Sequence, residues 1–179
     1  MANEIYRVEN AKIVFKNFEG RQTEFNAKGN RNFSIVIEDP EVALNMYNNG
    51  WNIKVRPETK EDRDAIKRFK TLPEKVEYLV QKGVLQDAFF HMKVNVNYES
   101  RKKPMIYTVA GTKRRPILMD ETNVGSIDMT YIESCDVAIT GFVWENSTGS
   151  GISAYLDTMY VTVRQNPFED KYNSYDEEE

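Results

Sequence analysis

The chain has 179 residues, a formal net charge of −4, one histidine and one cysteine. This length fits a single domain, and 40% hydrophobic with 29% charged residues is ordinary for a protein with a packed core. One cysteine excludes an intramolecular disulfide, and a four-ligand Cys/His zinc site is not expected. The sequence has neither a signal peptide nor a membrane-spanning run, so we expect a cytoplasmic protein without metal or cofactor.

The charge is segregated along the chain. Residues 169–179 contain six acidic residues and one lysine, so the tail is strongly acidic while the body is close to neutral. We expect residues 1–167 to form one domain. The acidic tail, residues 168–179, is too polar to pack and is expected to be disordered.

Two strands are predicted near the start of the chain. Residues 10–18 alternate in polarity, and residues 30–38 do so again after a polar segment, 21–29, that Phe25 is expected to anchor. Arg31, at the turn into the second strand, is interpreted as a loop residue in preference to a phosphate ligand. The side chains of the first strand predicted to face inward are Ala11, Ile13 and Phe15.

Helical signals follow. Asp39–Pro40 is a capping residue followed by proline at the first helical position, and Gly50 is a typical stop. Trp51 then begins a short strand and is expected in the core. Residues 57–87 carry mixed charge and two helical patterns, the second opened by a capping box at Thr71. We interpret them as a helical insertion in a β domain.

A basic and aromatic region follows the insertion. Phe89 to Tyr98 alternates as a strand, and Met105 to Ala110 is a second strand with a basic cluster before and after it, which predicts a hairpin. Fixed positive charge beside rings is what single-stranded nucleic acid binding requires. Solvated turns, in which Lys and Arg discourage edge pairing, remain the alternative. The residues predicted to contact nucleic acid are Lys93, Tyr98, Arg101, Lys102, Lys103, Tyr107, Lys113, Arg114, Arg115 and Trp144.

The remaining strands complete a mainly β fold. Residues 135–144 and 152–164 alternate around a glycine-containing turn. The order of elements predicts an OB-fold-like antiparallel barrel with inserted helices, although a β-sandwich would give a similar pattern. In the barrel interpretation, the two strands of the basic hairpin are strands two and three, and residues 120–132 hold the helix that follows them.

Catalytic chemistry is not indicated. His91 lies on the polar side of its strand, and Cys135 has no histidine near it in sequence, so we expect a surface imidazole and an inert buried thiol. The carboxylates lack paired spacing that would indicate a metal site. We therefore predict that the protein is not an enzyme and has no catalytic residues.

Several strings of residues resemble bacteriophage single-stranded-DNA-binding proteins. They are GNRNF from Gly29, GWNI from Gly50, VNVNY from Val94, SGISAYL from Ser150 and YVT from Tyr160. The resemblance covers most of the chain apart from residues 57–87. It implies an OB-fold, sequence-tolerant binding of single strands in replication or recombination, and an acidic tail that recruits replication or recombination proteins. The tail residues assigned to that role are Asp176, Glu177, Glu178 and Glu179.

Two further hypotheses are open. The acidic tail could occupy the basic region at low salt and weaken DNA binding. The rival interpretation is a structural or interaction β-domain of a virion, without nucleic-acid affinity. Both functional interpretations are compatible with a homo-oligomer.

Overall fold

The computed structural model describes residues 5–110 and 115–163. These residues form nine strands, three α-helices and two short 3-10 helices. The strands are β1 (Ile5–Val8), β2 (Ile13–Asn17), β3 (Arg31–Ile37), β4 (Ile53–Arg56), β5 (Phe89–Val96), β6 (Met105–Ala110), β7 (Ile117–Met119), β8 (Ile132–Asn146) and β9 (Gly149–Val163). The helices are α1 (Pro40–Asn48), α2 (Lys60–Ile66) and α3 (Leu72–Lys82), and the 3-10 helices are Leu85–Asp87 and Val124–Met129.

One sheet contains all nine strands, and its two ends are linked. The strand order is β1-β8-β9-β5-β3-β2, so the first and last strands of the path are consecutive in sequence. Between them, the Ala11 N–H donates to the Cys135 carbonyl at 2.7 Å. The segment β1–β2 therefore acts as one broken barrel strand that pairs with β8 on one side and β3 on the other.

The predicted fold class, a mainly β OB-fold-like barrel with inserted helices, is confirmed, but the pairing is mixed. β9 runs antiparallel to β8 and parallel to both β5 and β6. The predicted hairpin of β5 and β6 is wrong, because β5 pairs with β3, β4 and β9 whereas β6 pairs with β7 and β9. Strands two and three of the barrel are consequently β3 and β5. The predicted disordered tail lies outside the described residues.

The core fills the inside of this curled sheet. Its side chains come from alternate positions of the strands, because successive residues of a strand point to opposite faces. On β5 the buried residues alternate with less buried ones along the whole strand. Trp51 and Cys135 are buried, as predicted. Burial raises the pKa of the Cys135 thiol to about 12, so this thiol is inert at neutral pH.

The helices lie in the connections. Asp39 caps α1 by accepting from the Glu41 N–H, and Thr71 caps α3 by accepting from the Glu74 N–H, both as predicted. Gly83 ends α3 in the left-handed conformation. The buried Asp62 of α2 pairs with Lys82, which ties α2 to the end of α3. No helix within the described ranges is both long and apolar enough to span a membrane.

Strand β2 contains an irregularity that redirects Phe15. The register against β3 shifts between Val14 and Asn17, and Phe15 has φ of 55°. Residues with a side chain adopt this left-handed region rarely, so the break in the strand is well defined. Phe15 was expected to face inward. Instead its side chain is 47% exposed, and Phe18 fills the core three residues later.

Candidate nucleic-acid interface

The outer face of β3 and β5 is the surface on which five-stranded OB barrels bind oligonucleotides. Directly opposed residues point to the same face of a sheet, so the pairing identifies this surface. Val36 lies opposite His91, and His91 in turn lies opposite Lys54 of β4. The same face continues through Asn95 to Tyr155 of β9.

Three rings and an arginine meet at one end of this face. The Phe15 ring centroid lies 5.3 Å from His91 and 6.2 Å from Phe89, and the His91 and Phe89 rings are 5.7 Å apart. The Arg56 guanidinium carbon lies 5.1 Å from the Phe15 ring centroid. We name Phe15, Arg56, Phe89 and His91 the outer-face cluster. It combines an exposed aromatic ring with a positive charge, the two groups that single strands require.

The imidazole of the outer-face cluster is uncharged at neutral pH. Burial, together with the neighbouring cations Lys54 and Arg56, lowers the pKa of His91 to about 4. Its Nδ1 atom is buried and has no hydrogen-bond partner among the described residues. His91 therefore contributes a ring to this face, while positive charge comes from Lys54, Arg56 and the exposed Lys93.

The loop between β2 and β3 carries a further exposed ring, that of Phe25. Its backbone is fixed by the Asn17 side chain, which accepts from the Gly20 and Arg21 N–H groups at 3.0 and 2.9 Å. Asn26 donates to three carbonyls of the same loop. Phe25 is 91% exposed at its tip, so the expectation that this residue anchors the loop is wrong. In OB barrels this connection contributes to oligonucleotide binding.

Of the sequence-predicted site residues on β5 and just beyond it, one is on the outer face and one is not. Lys93 is exposed on the outer face, opposite Ser34. Tyr98 is 8% exposed, and burial raises the pKa of its hydroxyl to about 12. The Arg31 guanidinium carbon lies 5.5 Å from the Tyr98 ring centroid, and Arg31 donates to the Phe18 carbonyl. Arg31 is thus the first residue of β3 and its side chain binds a loop carbonyl, while Tyr98 is left without an open ring face.

The first basic cluster lies in the exposed connection between β5 and β6. Lys102 binds Asp157 with a 2.6 Å contact, and this hydrogen bond lowers the pKa of the Asp157 carboxyl. Lys103 lies 3.7 Å from Glu121. Arg101 is exposed.

The second basic cluster is only partly described. Arg115 is exposed two residues before β7. Lys113 and Arg114 lie outside the described residues, as do the tail residues Asp176, Glu177, Glu178 and Glu179.

The two remaining predicted rings are on β6 and β8. Tyr107 stacks on Tyr160 with centroids 4.8 Å apart and an angle of 10° between the rings. Trp144 is half-buried, and its indole lies so close to Gly151 that an added Cβ there would be 2.9 Å from the ring. Trp144 is thus held against the β8–β9 turn, while the Tyr107–Tyr160 pair lies on the face of β6 and β9.

Sequence reasoning missed Phe15, Phe25 and Arg56. Alternation in β2 predicts that the Phe15 side chain faces the core, but the irregularity in the strand turns this side chain to the outside. Arg56 ends a short strand, and only its pairing with Phe89 places it beside the cluster. Within residues 5–110 and 115–163, no group of three His, Cys, Asp or Glu side chains could hold a metal ion.

The closed strand path and the aromatic, cationic outer face define an OB-like barrel protein, a class that binds oligonucleotides or oligosaccharides on this face. The chain belongs to the family described as "Putative phage ssDNA-binding domain", whose model matches residues 2–179. The predicted resemblance to phage single-stranded-DNA-binding proteins is therefore confirmed. No curated protein sequence matches the chain.

Solved structures of phage proteins are also similar. The C-terminally truncated single-stranded DNA-binding protein of bacteriophage Enc34 is 12% identical, with a TM-score of 0.46 over 92% of this chain and 88% of that one. The same Enc34 protein in complex with ssDNA gives 12% identity and a TM-score of 0.42, over 92% and 89% of the two chains. The single-stranded DNA binding protein gp2.5 of bacteriophage T7 is 9% identical, with a TM-score of 0.41 over 92% of this chain and 89% of that one.

Proposed function

We propose that this protein binds single-stranded DNA without marked sequence preference, on the outer face of β3 and β5. The observation that carries the proposal is the outer-face cluster, in which the half-exposed ring of Phe15 lies beside the Arg56 guanidinium. A base can stack on any aromatic face, and a cation beside that ring can meet the adjacent phosphate. Family membership supports the same function.

The bound strand would run from the outer-face cluster along β5 and β9. Lys93 lies next along β5, and Tyr155 of β9 lies opposite Asn95. Beyond them, the Tyr107–Tyr160 pair and the exposed basic connection 101–103 lie toward the other end of β9. Because contacts to phosphate and to ring faces are insensitive to base identity, binding along this path would tolerate any sequence.

We further propose that the acidic tail, residues 168–179, competes with DNA for this face and recruits replication or recombination proteins in the host cytoplasm. Its concentrated negative charge complements Lys54, Arg56 and Lys93. Deleting residues 172–179 should tighten DNA binding, most at low ionic strength where charges are poorly screened. Equal affinity of the full-length and shortened proteins at low salt would contradict competition by the tail.

The function is tested by fluorescence anisotropy of a labelled oligothymidine, titrated at several salt concentrations beside a duplex of the same length. Neutralising four or five phosphates should give a log–log salt slope of about −3, at roughly −0.7 per contact. We expect salt-sensitive binding to the single strand and weak binding to the duplex. Absence of binding at low salt by both full-length and tail-deleted protein would overturn the proposal.

A further inference from the structure

Strand β7 is an apolar edge of the sheet. Among the described strands it pairs with β6 alone, so the backbone groups along its other side have no strand partner there. Ile117 is 61% exposed and Leu118 is 50% exposed. An edge strand with exposed apolar side chains is a template for pairing with another chain.

The sequence around β7 is complementary to itself in the antiparallel direction. It reads Arg-Pro-Ile-Leu-Met-Asp-Glu from Arg115 to Glu121. If a second copy pairs antiparallel with Leu118 opposite Leu118, then Ile117 lies opposite Met119. Arg115 and Glu121 flank the strand, and the same register brings Arg115 of each copy to the end where Glu121 of the other copy begins a turn. Opposite charges directly across a pair of strands stabilise the pairing, as do apolar pairs. A two-fold axis generates each of these off-axis pairs twice.

We propose that β7 is a self-association edge, at which two copies of this chain pair antiparallel around a two-fold axis through Leu118. Such an interface is isologous, since the same patch serves both copies. The charge pattern favours a second copy over a foreign strand, because one segment supplies both the cation and the carboxylate that the pairing requires. Arg115 is exposed, and the Glu121 carboxylate would exchange its exposed 3.7 Å contact with Lys103 for Arg115 of the second copy.

The pairing has a consequence for DNA binding, which rests on the proposed function. Leu118 lies opposite Tyr107, so its side chain is on the same face of the sheet as the Tyr107–Tyr160 pair. Residues directly opposed in an antiparallel pair point to the same face, so the outer faces of both copies would lie on the same side of the joined sheet. One DNA strand could then cross two copies without changing side.

The contact is small, and this determines how it should behave. β7 has three residues, so the buried area is well below that of a stable dimer interface. Self-association should therefore be weak in free solution. Binding of two copies to one strand raises their effective concentration, so a weak edge contact would appear as cooperative DNA binding.

Cysteine crosslinking without DNA tests the geometry directly. In an antiparallel pair the opposed Cα atoms lie about 4.5–5.5 Å apart, within the range of about 4.4–6.8 Å that a disulfide allows. Leu118→Cys should form a covalent dimer under mild oxidation with glutathione disulfide. The native Cys135 is buried, and Val143→Cys, at a position that is 73% exposed elsewhere on the sheet, is the matched control. Dimerisation of Leu118→Cys no faster than that of Val143→Cys would overturn the proposal.

A charge exchange tests the register independently of the apolar contact. In the Leu118→Cys background, Arg115→Glu should slow crosslinking because two carboxylates then face each other, and Glu121→Arg should slow it likewise. The double exchange should restore the rate, since the pairs are re-formed with reversed polarity. Failure of the double exchange to restore the rate would refute this register. Both readouts omit DNA, so they are independent of whether the protein binds single strands.

Discussion

The ring of Phe15 provides the sharpest test of the proposed interface. Its side chain is 47% exposed although it contacts Phe89 and His91 and has Arg56 over its ring, so part of the ring remains available to a base. Stacking of one base on an aromatic side chain contributes about 1–3 kcal/mol. Phe15→Ala should therefore weaken binding of oligothymidine by about 5-fold to 150-fold, measured by anisotropy at constant salt.

The structure supplies a matched control for this substitution. Phe69, in the connection between α2 and α3, has the Arg68 guanidinium carbon 4.7 Å from its ring centroid, much as Phe15 has Arg56. Phe69 is less exposed and packs against the core, so Phe69→Ala removes a ring beside an arginine elsewhere in the molecule and should leave the DNA affinity of the folded protein unchanged. Equal losses in the two variants, or no loss in Phe15→Ala, would refute the assignment of the ring to DNA binding.

A second substitution at position 15 distinguishes the effect of losing the ring from the effect of backbone strain. At φ of 55°, alanine is strained by roughly 1 kcal/mol while glycine is not. Phe15→Gly should bind DNA as weakly as Phe15→Ala but unfold at higher denaturant concentration. If the two variants differed in DNA affinity as well, the loss in Phe15→Ala would reflect backbone distortion and the stacking argument would fail.

Three further outcomes are expected. Arg56→Ala should make the salt slope shallower by about 0.7, whereas Arg68→Ala should leave it unchanged; equal slopes in both would contradict a phosphate contact at Arg56. The free energy of unfolding should fall as pH drops from 7 toward 4, because the pKa of His91 is lowered to about 4 in the folded protein and the unfolded chain therefore binds the proton more strongly. In His91→Gln, the free energy of unfolding should not show the part of this fall that lies above pH 5. An unaltered dependence of the unfolding free energy on pH would contradict the lowered pKa of His91. Asn17→Ala should cost about 1–3 kcal/mol in chemical denaturation, since the buried amide holds the Gly20 and Arg21 N–H groups; a change below 0.5 kcal/mol, roughly that of an exposed site, would refute this role.

The sequence predicted local elements better than their pairing. The caps at Asp39 and Thr71 were recognised because a helix start depends on neighbouring residues. The β5–β6 hairpin was wrong because strand partners depend on long-range packing, and here β9 inserts beside both strands. The alternation of β5 also assigned Tyr98 to the buried side. Its position beside basic residues in the sequence is therefore a weaker signal than the alternation, which agrees with its burial.

Positions that break the strand period could not be predicted. Phe15 follows the apolar alternation of its strand, and nothing in its neighbourhood signals the positive φ that turns it outward. Phe25 is a large apolar residue and was assigned to packing for that reason, although the loop is held by the amides of Asn17 and Asn26. An exposed ring on a hydrogen-bonded loop resembles a core anchor in sequence, and only the contacts distinguish the two.

Closure of the barrel through the Ala11–Cys135 hydrogen bond has a kinetic consequence. The two residues are far apart in sequence, so the entropy of closing that loop opposes the contact until much of the intervening chain has folded. Proteins dominated by such distant pairings fold slowly. During synthesis, β1 cannot find its partner until β8 has left the ribosome. In the nascent chain, β1 therefore remains without its strand partner until most of the chain has been synthesised.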